Sequence, residues 1–241
     1  MATAAITGTI TESVTEADIV SGGRTIQIEL TGDVWIAAGS SLAAFSDDFN
    51  RGDSDSLGAN WTETGGDIDI ASNTLSFVAG SYAAMLAVHN TPCNTVSQYV
   101  KVKMTSSLTY LGALLRYTNS SSDYYLIAAT GGTNFGWFSY TSLGAGEVQQ
   151  GADTSLAGWG NPESIGVTIT GTGTNTVVRV WRNPTANAPD AGGTTWDSSA
   201  AGITWTSDPS NAVDTGNYIG LGGSQSSGPT AMDDFFGGDI P

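Results

Sequence analysis

At 241 residues the chain is long enough for one large core, and its 32 glycines and only 7 lysines and arginines exclude the Lys-, Arg- and Glu-rich surface usual for helical proteins. A net charge of −16 excludes partners gripped through phosphates, nucleic acid and anionic membrane surfaces alike, because such contacts need clustered Lys and Arg. The single cysteine, Cys93, excludes an internal disulfide, so folding does not depend on an oxidising compartment.

Residues 1–42 read as a separate arm. Ala5-Ile-Thr-Gly-Thr-Ile-Thr11 alternates apolar and polar residues, Thr15-Glu-Ala-Asp-Ile-Val20 makes a turn ended by Gly22-Gly23, and Arg24-Thr-Ile-Gln-Ile-Glu-Leu30 alternates again before Val34-Trp-Ile36. Two or three strands do not stand alone in water. The arm is therefore expected to pack on the rest of the chain, on a second copy or on a different protein. Its start lacks the basic and apolar regions of a signal peptide, and no apolar run approaches a transmembrane length, so release by cell lysis is the expected route outside the cell. The stretch from Thr9 to Ile26, closed by Leu30-Thr-Gly-Asp-Val-Trp-Ile-Ala-Ala-Gly39, resembles the opening of an immunoglobulin-like repeat of phage virion proteins. That repeat continues with further strands, whereas this chain departs from it at Ser40.

From residue 43 to 241 the chain predicts one all-β domain. Ala44-Phe-Ser-Asp-Asp-Phe49 opens it and Ala231-Met-Asp-Asp-Phe-Phe236 closes it, and the shared Asp-Asp-Phe suggests neighbouring end strands. Strict alternation would place Phe45, Asp47 and Phe49 on one face and Met232, Asp234 and Phe236 on one face. Between them, Asp67–Ile70 and Thr74–Val78 flank Ser72-Asn73 as a tight hairpin. Ala83–Val88 follows. Val96–Met104 sets Val100, Val102 and Met104 against Tyr99, Lys101 and Lys103, the pattern of a half-buried strand. Tyr110–Tyr117 faces Asp123–Ala128 across a serine-rich turn, Asn134–Tyr140 is an aromatic strand, and Ser164–Thr170 pairs with Thr176–Arg182 over Gly-Thr-Gly. Residues 183–216 read as loop, and Asn217–Gly222 precedes the closing strand. Short strands at regular spacing indicate a sandwich or jelly roll.

Asp47-Asp-Phe-Asn-Arg51 followed by Leu57-Gly-Ala-Asn-Trp61 resembles the start of a concanavalin A-like (laminin-G-like) jelly roll. Leu114-Leu-Arg116, Tyr124-Tyr125, Gly216-Asn-Tyr-Ile-Gly-Leu221 and Asp233-Asp-Phe235 extend the likeness over roughly residues 44–239. The resemblance implies the fold far better than a function, since this fold hosts lectins, enzymes and scaffolds.

Candidate sites follow from residue chemistry. Asp47, Asp48, Asp233 and Asp234 meet if the end strands pair, and like charges there need a cation or Arg51 to relieve them. Calcium accepts such oxygens, and the resemblance implies a structural calcium, so these four are the candidate metal ligands. Trp159, Trp196 and Trp205 lie in Gly- and Ser-rich regions and are candidate stacking platforms for a glycan. Trp61 and Trp181 read as core. A retaining or inverting glycosidase needs two carboxyls flanking the sugar bond, and none of Glu12, Glu16, Glu29, Glu63, Glu147 and Glu163 shares a strand with another. No catalytic residue is expected. His89 and Cys93 lack the further ligands a zinc site requires and read as a strand-end histidine and a small buried thiol. Arg51-Gly-Asp53 reads as a turn.

Together these lead to the expectation of a non-enzymatic virion structural protein, a capsid decoration or fibre/tail component, docking through its arm on capsid proteins or sister subunits as a homo-oligomer. The alternatives are a carbohydrate-binding module for surface polysaccharide, or a filament subunit that exchanges strands with its neighbours.

Overall fold

The computed structural model describes residues 42–80, 85–105, 110–142, 147–160, 162–206, 213–223 and 230–241. The expected arm, residues 1–42, lies outside the described residues except for Leu42. In chain order the strands are β1 (Ala44–Asp47), β2 (Trp61–Thr64), β3 (Gly66–Ala71), β4 (Thr74–Gly80), β5 (Met85–His89) and β6 (Gln98–Met104). Next come β7 (Gly112–Tyr117), β8 (Tyr124–Gly131), β9 (Asn134–Tyr140), β10 (Val148–Ser155), β11 (Glu163–Thr170) and β12 (Val177–Arg182). The last are β13 (Thr195–Trp196), β14 (Ser199–Ala200), β15 (Ile203–Thr206), β16 (Tyr218–Gly223) and β17 (Thr230–Asp239).

These strands form an all-β, two-sheet antiparallel sandwich. One sheet runs β15-β12-β11-β6-β17-β4-β3, and β1 also pairs with β17. The facing sheet runs β10-β9-β8-β7-β16-β5-β2. The core between them is filled by aliphatic and aromatic side chains from both, among them Val100, Val102, Val167, Ile169 and Phe235 against Ala113, Leu115, Ile127, Trp137 and Leu221. Burial of that apolar surface, at about 25 cal/mol per Å2, is the main force holding the layers together.

β17 organises the first sheet. From Met232 to Asp239 it borders β6, while on its other side Thr230–Met232 pair with β4 and Phe235–Gly238 pair with β1. The first and last strands of the domain are thus neighbours, as the repeated Asp-Asp-Phe predicts. Strict alternation fails at Asp234. The register with β6 shifts by one residue between Asp233 and Phe236, and Asp234 takes a φ of 52°. This bulge turns Phe235, not Phe236, into the core beside Met232 and leaves Phe236 half-exposed on the outer face.

The Ser72-Asn73 hairpin forms as expected, with both residues at positive φ (53° and 61°) in the primed turn that matches strand twist. The β7–β8 and β11–β12 pairs also form as expected. Two expectations need correction. β6 is buried on both faces rather than half-buried, and residues 183–216 are not simply loop. The segment after β12 folds the β13–β14 hairpin over Asp197-Ser198, both at positive φ, and packs Trp196 against Tyr99 and Trp181 on the outer face of β6 and β12. Lys101 is buried there with its Nζ donating to the carbonyls of Thr185 (3.1 Å) and Ala186 (3.0 Å). β15 then adds to β12 as an edge strand.

Arg116 sits at another register shift, between β7 and β16, with φ 53°. Its side chain is fully buried. It donates to the carbonyls of Val96 (2.8 Å), Val213 (3.3 Å) and Gly171, and lies 3.6 Å from Asp214. One guanidinium therefore ties three segments distant in sequence. Gly216 crosses the carbonyl of Arg116 so closely that a Cβ would lie 1.7 Å from it, which only glycine tolerates. Among the described residues no helix is long and apolar enough to cross a membrane.

Candidate functional site

The pairing of β1 with β17 gathers the charged residues that the sequence singled out. The Oδ1 of Asp47 accepts hydrogen bonds from the Phe49 amide (2.8 Å) and Arg51 Nη1 (2.7 Å), and its Oδ2 accepts from the Trp61 indole (2.8 Å) and Arg51 Nη2 (3.2 Å). Arg51 also donates to the Leu57 carbonyl (2.8 Å) and lies over the Phe49 ring. Partial burial pushes the Asp47 carboxyl up. The bonds from Arg51, the Phe49 amide and Trp61 together outweigh it and hold the group below the usual carboxylate range. Asp47 thus anchors the loop from β1 to β2.

On the β17 side, Lys103 Nζ stands 3.8 Å from Asp233 and 3.6 Å from Asp234. Burial and then the Asp234 charge raise the Asp233 carboxyl, and Asp48 adds to the same effect. The four aspartates are therefore neighbours, but they do not form a calcium cage. Asp47 is committed to Arg51 and Trp61, Asp233 and Asp234 face Lys103, and Asp48 is exposed with its Oδ1 on the Asn50 amide. Among the described residues no three His, Cys, Asp or Glu groups are arranged to hold a metal ion. The like charges are relieved by Arg51 and Lys103.

The tryptophan expectation is corrected. Trp159, Trp196 and Trp205 are 4 %, 1 % and 8 % exposed. Trp159 packs edge-on against Phe135, with ring centroids 5.2 Å apart. Trp196 lies under the β13–β14 hairpin and donates to the Ala186 carbonyl at 3.0 Å. Trp205 lies on Gly151 of β10 and donates to Thr154 Oγ1 at 3.2 Å, stitching the edges of the two sheets. Trp159 lies in a loop, Trp196 in β13 and Trp205 in β15, and all three rings serve as filling. None presents a flat face to a glycan. Trp61 and Trp181 are core, as expected.

Behind the seam lies an aromatic nest. His89 stacks on Phe45 at 4.2 Å and meets Trp61 edge-on at 5.4 Å, and Trp61 meets Phe235 at 5.0 Å. Burial lowers the His89 pKa, against smaller opposing effects of the Thr91 backbone and Asp47. Cys93 is buried, and burial followed by the Asp239 charge pushes its thiol far above the ordinary range, which leaves it inert as a nucleophile. The glutamates of the described residues are tied down too. Glu63 accepts from the Leu57 amide, Glu147 from the Tyr140 hydroxyl, and Glu163 binds Arg182, which holds its carboxyl at about 2. Arg51-Gly-Asp53 is structural, with Asp53 accepting from the Ser72 amide at 2.8 Å.

What remains open at the seam is a cleft of about 510 Å3 lined by Ser46, Asp47, Asp48, Arg51, Asn60 and Phe236. Sequence reading placed Asp47 and Asp48 here but missed Phe236, Asn60 and Ser46. The bulge at Asp234 turns Phe236 outward, and no local pattern announces a bulge. A second group it missed is Asp67 with Asp69, whose Asp-Ile-Asp spacing puts both on the outer face of β3. Burial, and then the charges of Asp67, Asp55 and Glu63, raise the Asp69 carboxyl.

No protein-family model and no curated protein matches the chain. Solved structures of similar fold include a xylan β-1,4-xylosidase from Bacillus halodurans, with a TM-score of 0.47 and 13% identity over 80% of this chain and 39% of that one. This chain thus spans about two fifths of the xylosidase. A carbohydrate-binding module from Bacillus subtilis has a TM-score of 0.42 and 10% identity over 75% and 92% of the two chains. A β-1,3-1,4-glucanase (lichenase) derived from a mouse hindgut metagenome has a TM-score of 0.47 and 13% identity over 82% and 99%.

Proposed function

We propose that this is a non-enzymatic structural and attachment protein of a virion, a capsid decoration or a fibre/tail component that assembles through its N-terminal 42 residues. One observation supports this most. The face of the β10-β9-β8-β7-β16-β5-β2 sheet turned away from the core has the composition of a core itself. Leu86, Val88, Leu114, Tyr117, Tyr124, Leu126, Ala128, Phe138 and Tyr140 form a second buried apolar cluster, and among the described residues it draws on this sheet and on Tyr110 just before it. A monomeric two-layer sandwich usually leaves such a face polar. These side chains are already 0–6 % exposed in the single chain, so the face is a second packed layer and not an open patch, and only its apolar composition favours assembly. That no strand among the described residues carries two glutamates, and that each described glutamate is committed to a structural bond, supports the non-enzymatic half of the reading.

The test is light scattering on the full chain and on a chain lacking residues 1–42, together with an assay of reducing ends released from a polysaccharide panel. We expect the full chain to self-associate, the shortened chain to lose that association, and no sugar to be released. Monomers of both chains that bind polysaccharide saturably would put the carbohydrate module first, and released reducing ends would make the protein an enzyme. The carbohydrate reading is the second one, and what favours it is the cleft beside Phe236.

A further inference from the structure

We infer that the cleft at the β1–β17 seam is a subsite for one neutral sugar unit, with Phe236 as its platform. This rests on the carbohydrate reading and gives it a location different from the buried tryptophans.

The bulge at Asp234 places a non-glycine residue at φ 52°, a conformation that costs of the order of 1 kcal/mol. Strain of this kind is often kept where it aims a side chain. Here it sends Phe235 into the core and presents Phe236 on the outer surface, directly across from Ser46 in the β1–β17 register. The ammonium of Lys101 lies over one face of the Phe236 ring, 5.5 Å from its centre, and is itself held by the carbonyls of Thr185 and Ala186. An outward ring is the apolar half of a sugar site.

The polar half surrounds it. Asp48 is exposed, with only its Oδ1 engaged by the Asn50 amide, and so offers a carboxylate oxygen to a pair of hydroxyls. Asn60 offers an amide, Ser46 a hydroxyl, and Arg51 borders the same space while anchored to Asp47. Acceptors and donors side by side, next to one aromatic ring, match the vicinal hydroxyls and C–H face of a pyranose. The volume falls within the usual range for small-ligand clefts. Charge decides against the other ligand classes. An anion would face Asp47, Asp48, Asp233 and Asp234 with Arg51 already paired, and a bare divalent cation would find no three converging carboxylates.

The experiment is an NMR titration of the 15N-labelled full chain with the methyl glycosides of glucose, galactose, mannose and N-acetylglucosamine, with calcium chloride and inorganic phosphate as separate arms. It is repeated on Phe236→Ala and on Asp48→Asn, the second chosen because an exposed isosteric change leaves folding intact. We expect at least one glycoside to shift the amides of Ser46, Asp48, Asn60 and Phe236 in a saturable way. Each variant should weaken that binding about tenfold, and calcium and phosphate should leave these amides unmoved. Saturable binding that shifts other residues and survives both variants overturns the cleft but keeps the carbohydrate reading. No response to any glycoside overturns both, and a saturable response to calcium or phosphate at these amides replaces the sugar with an ion.

Discussion

Asp47 shows how much one side chain holds in this protein. It joins the end of β1 to Arg51 and to the Trp61 indole, so its removal strands a guanidinium and an indole N–H at a partly covered site. Asp47→Ala is expected to cost about 2 kcal/mol in denaturant unfolding. The sign with pH follows from its depressed pKa. The contribution is fully present above the unfolded value of 3.8 and is lost as pH falls through the lower folded value, so wild type and variant should converge in acid. Asp69 behaves oppositely. Its carboxyl is raised by burial and by neighbouring carboxylates, so its charge costs stability at neutral pH and the cost vanishes below 3.8. Asp69→Asn should therefore raise the melting temperature at pH 7, with the gain fading as pH falls through the folded value. A melting temperature that drops at pH 7 would show that Asp69 has a favourable partner.

At the scale of elements, the bulge at Asp234, the register shift at Arg116 and the β13–β14 hairpin carry the individuality of the fold. Arg116 reaches Val96, Gly171 and Val213 from that shift, and Arg116→Met leaves those carbonyls without their shared donor. The expected loss is about 3 kcal/mol or more, measured by urea unfolding, because buried acceptors lose a charged partner. Trp196 roofs the outer face of β6, so Trp196→Ala should cost about 3–5 kcal/mol and uncover Lys101. A loop tryptophan displayed for a ligand would tolerate the same change with little loss. Asp234→Gly should keep the bulge and leave stability within about 1 kcal/mol, since glycine adopts the left-handed conformation freely and the Lys103 pairing is exposed.

For the whole molecule, charge and the seam set the behaviour. With a net charge of −16, moderate salt should raise the melting temperature by screening self-repulsion. Calcium should do no more than any salt at equal ionic strength. A chelator should leave the melting temperature where it was, because Arg51 and Lys103 occupy the roles that a cation would play. A rise of several degrees at stoichiometric calcium would reverse that assignment.

The sequence by itself determined the strand content, the pairing of the first and last strands, the Ser72-Asn73 turn and the buried Cys93. Turn chemistry and residue counts are local quantities, and they survive folding unchanged. Only the tertiary structure decided where Phe236 points, that Trp159, Trp196 and Trp205 fill space, and that Arg51 and Lys103 neutralise the aspartates. A bulge inserts one residue and inverts the faces beyond it, and a segment folding back over a sheet buries what alternation would expose. Both depend on which strands lie beside each other, a fact that sits in the packing of distant residues rather than in any stretch of the chain.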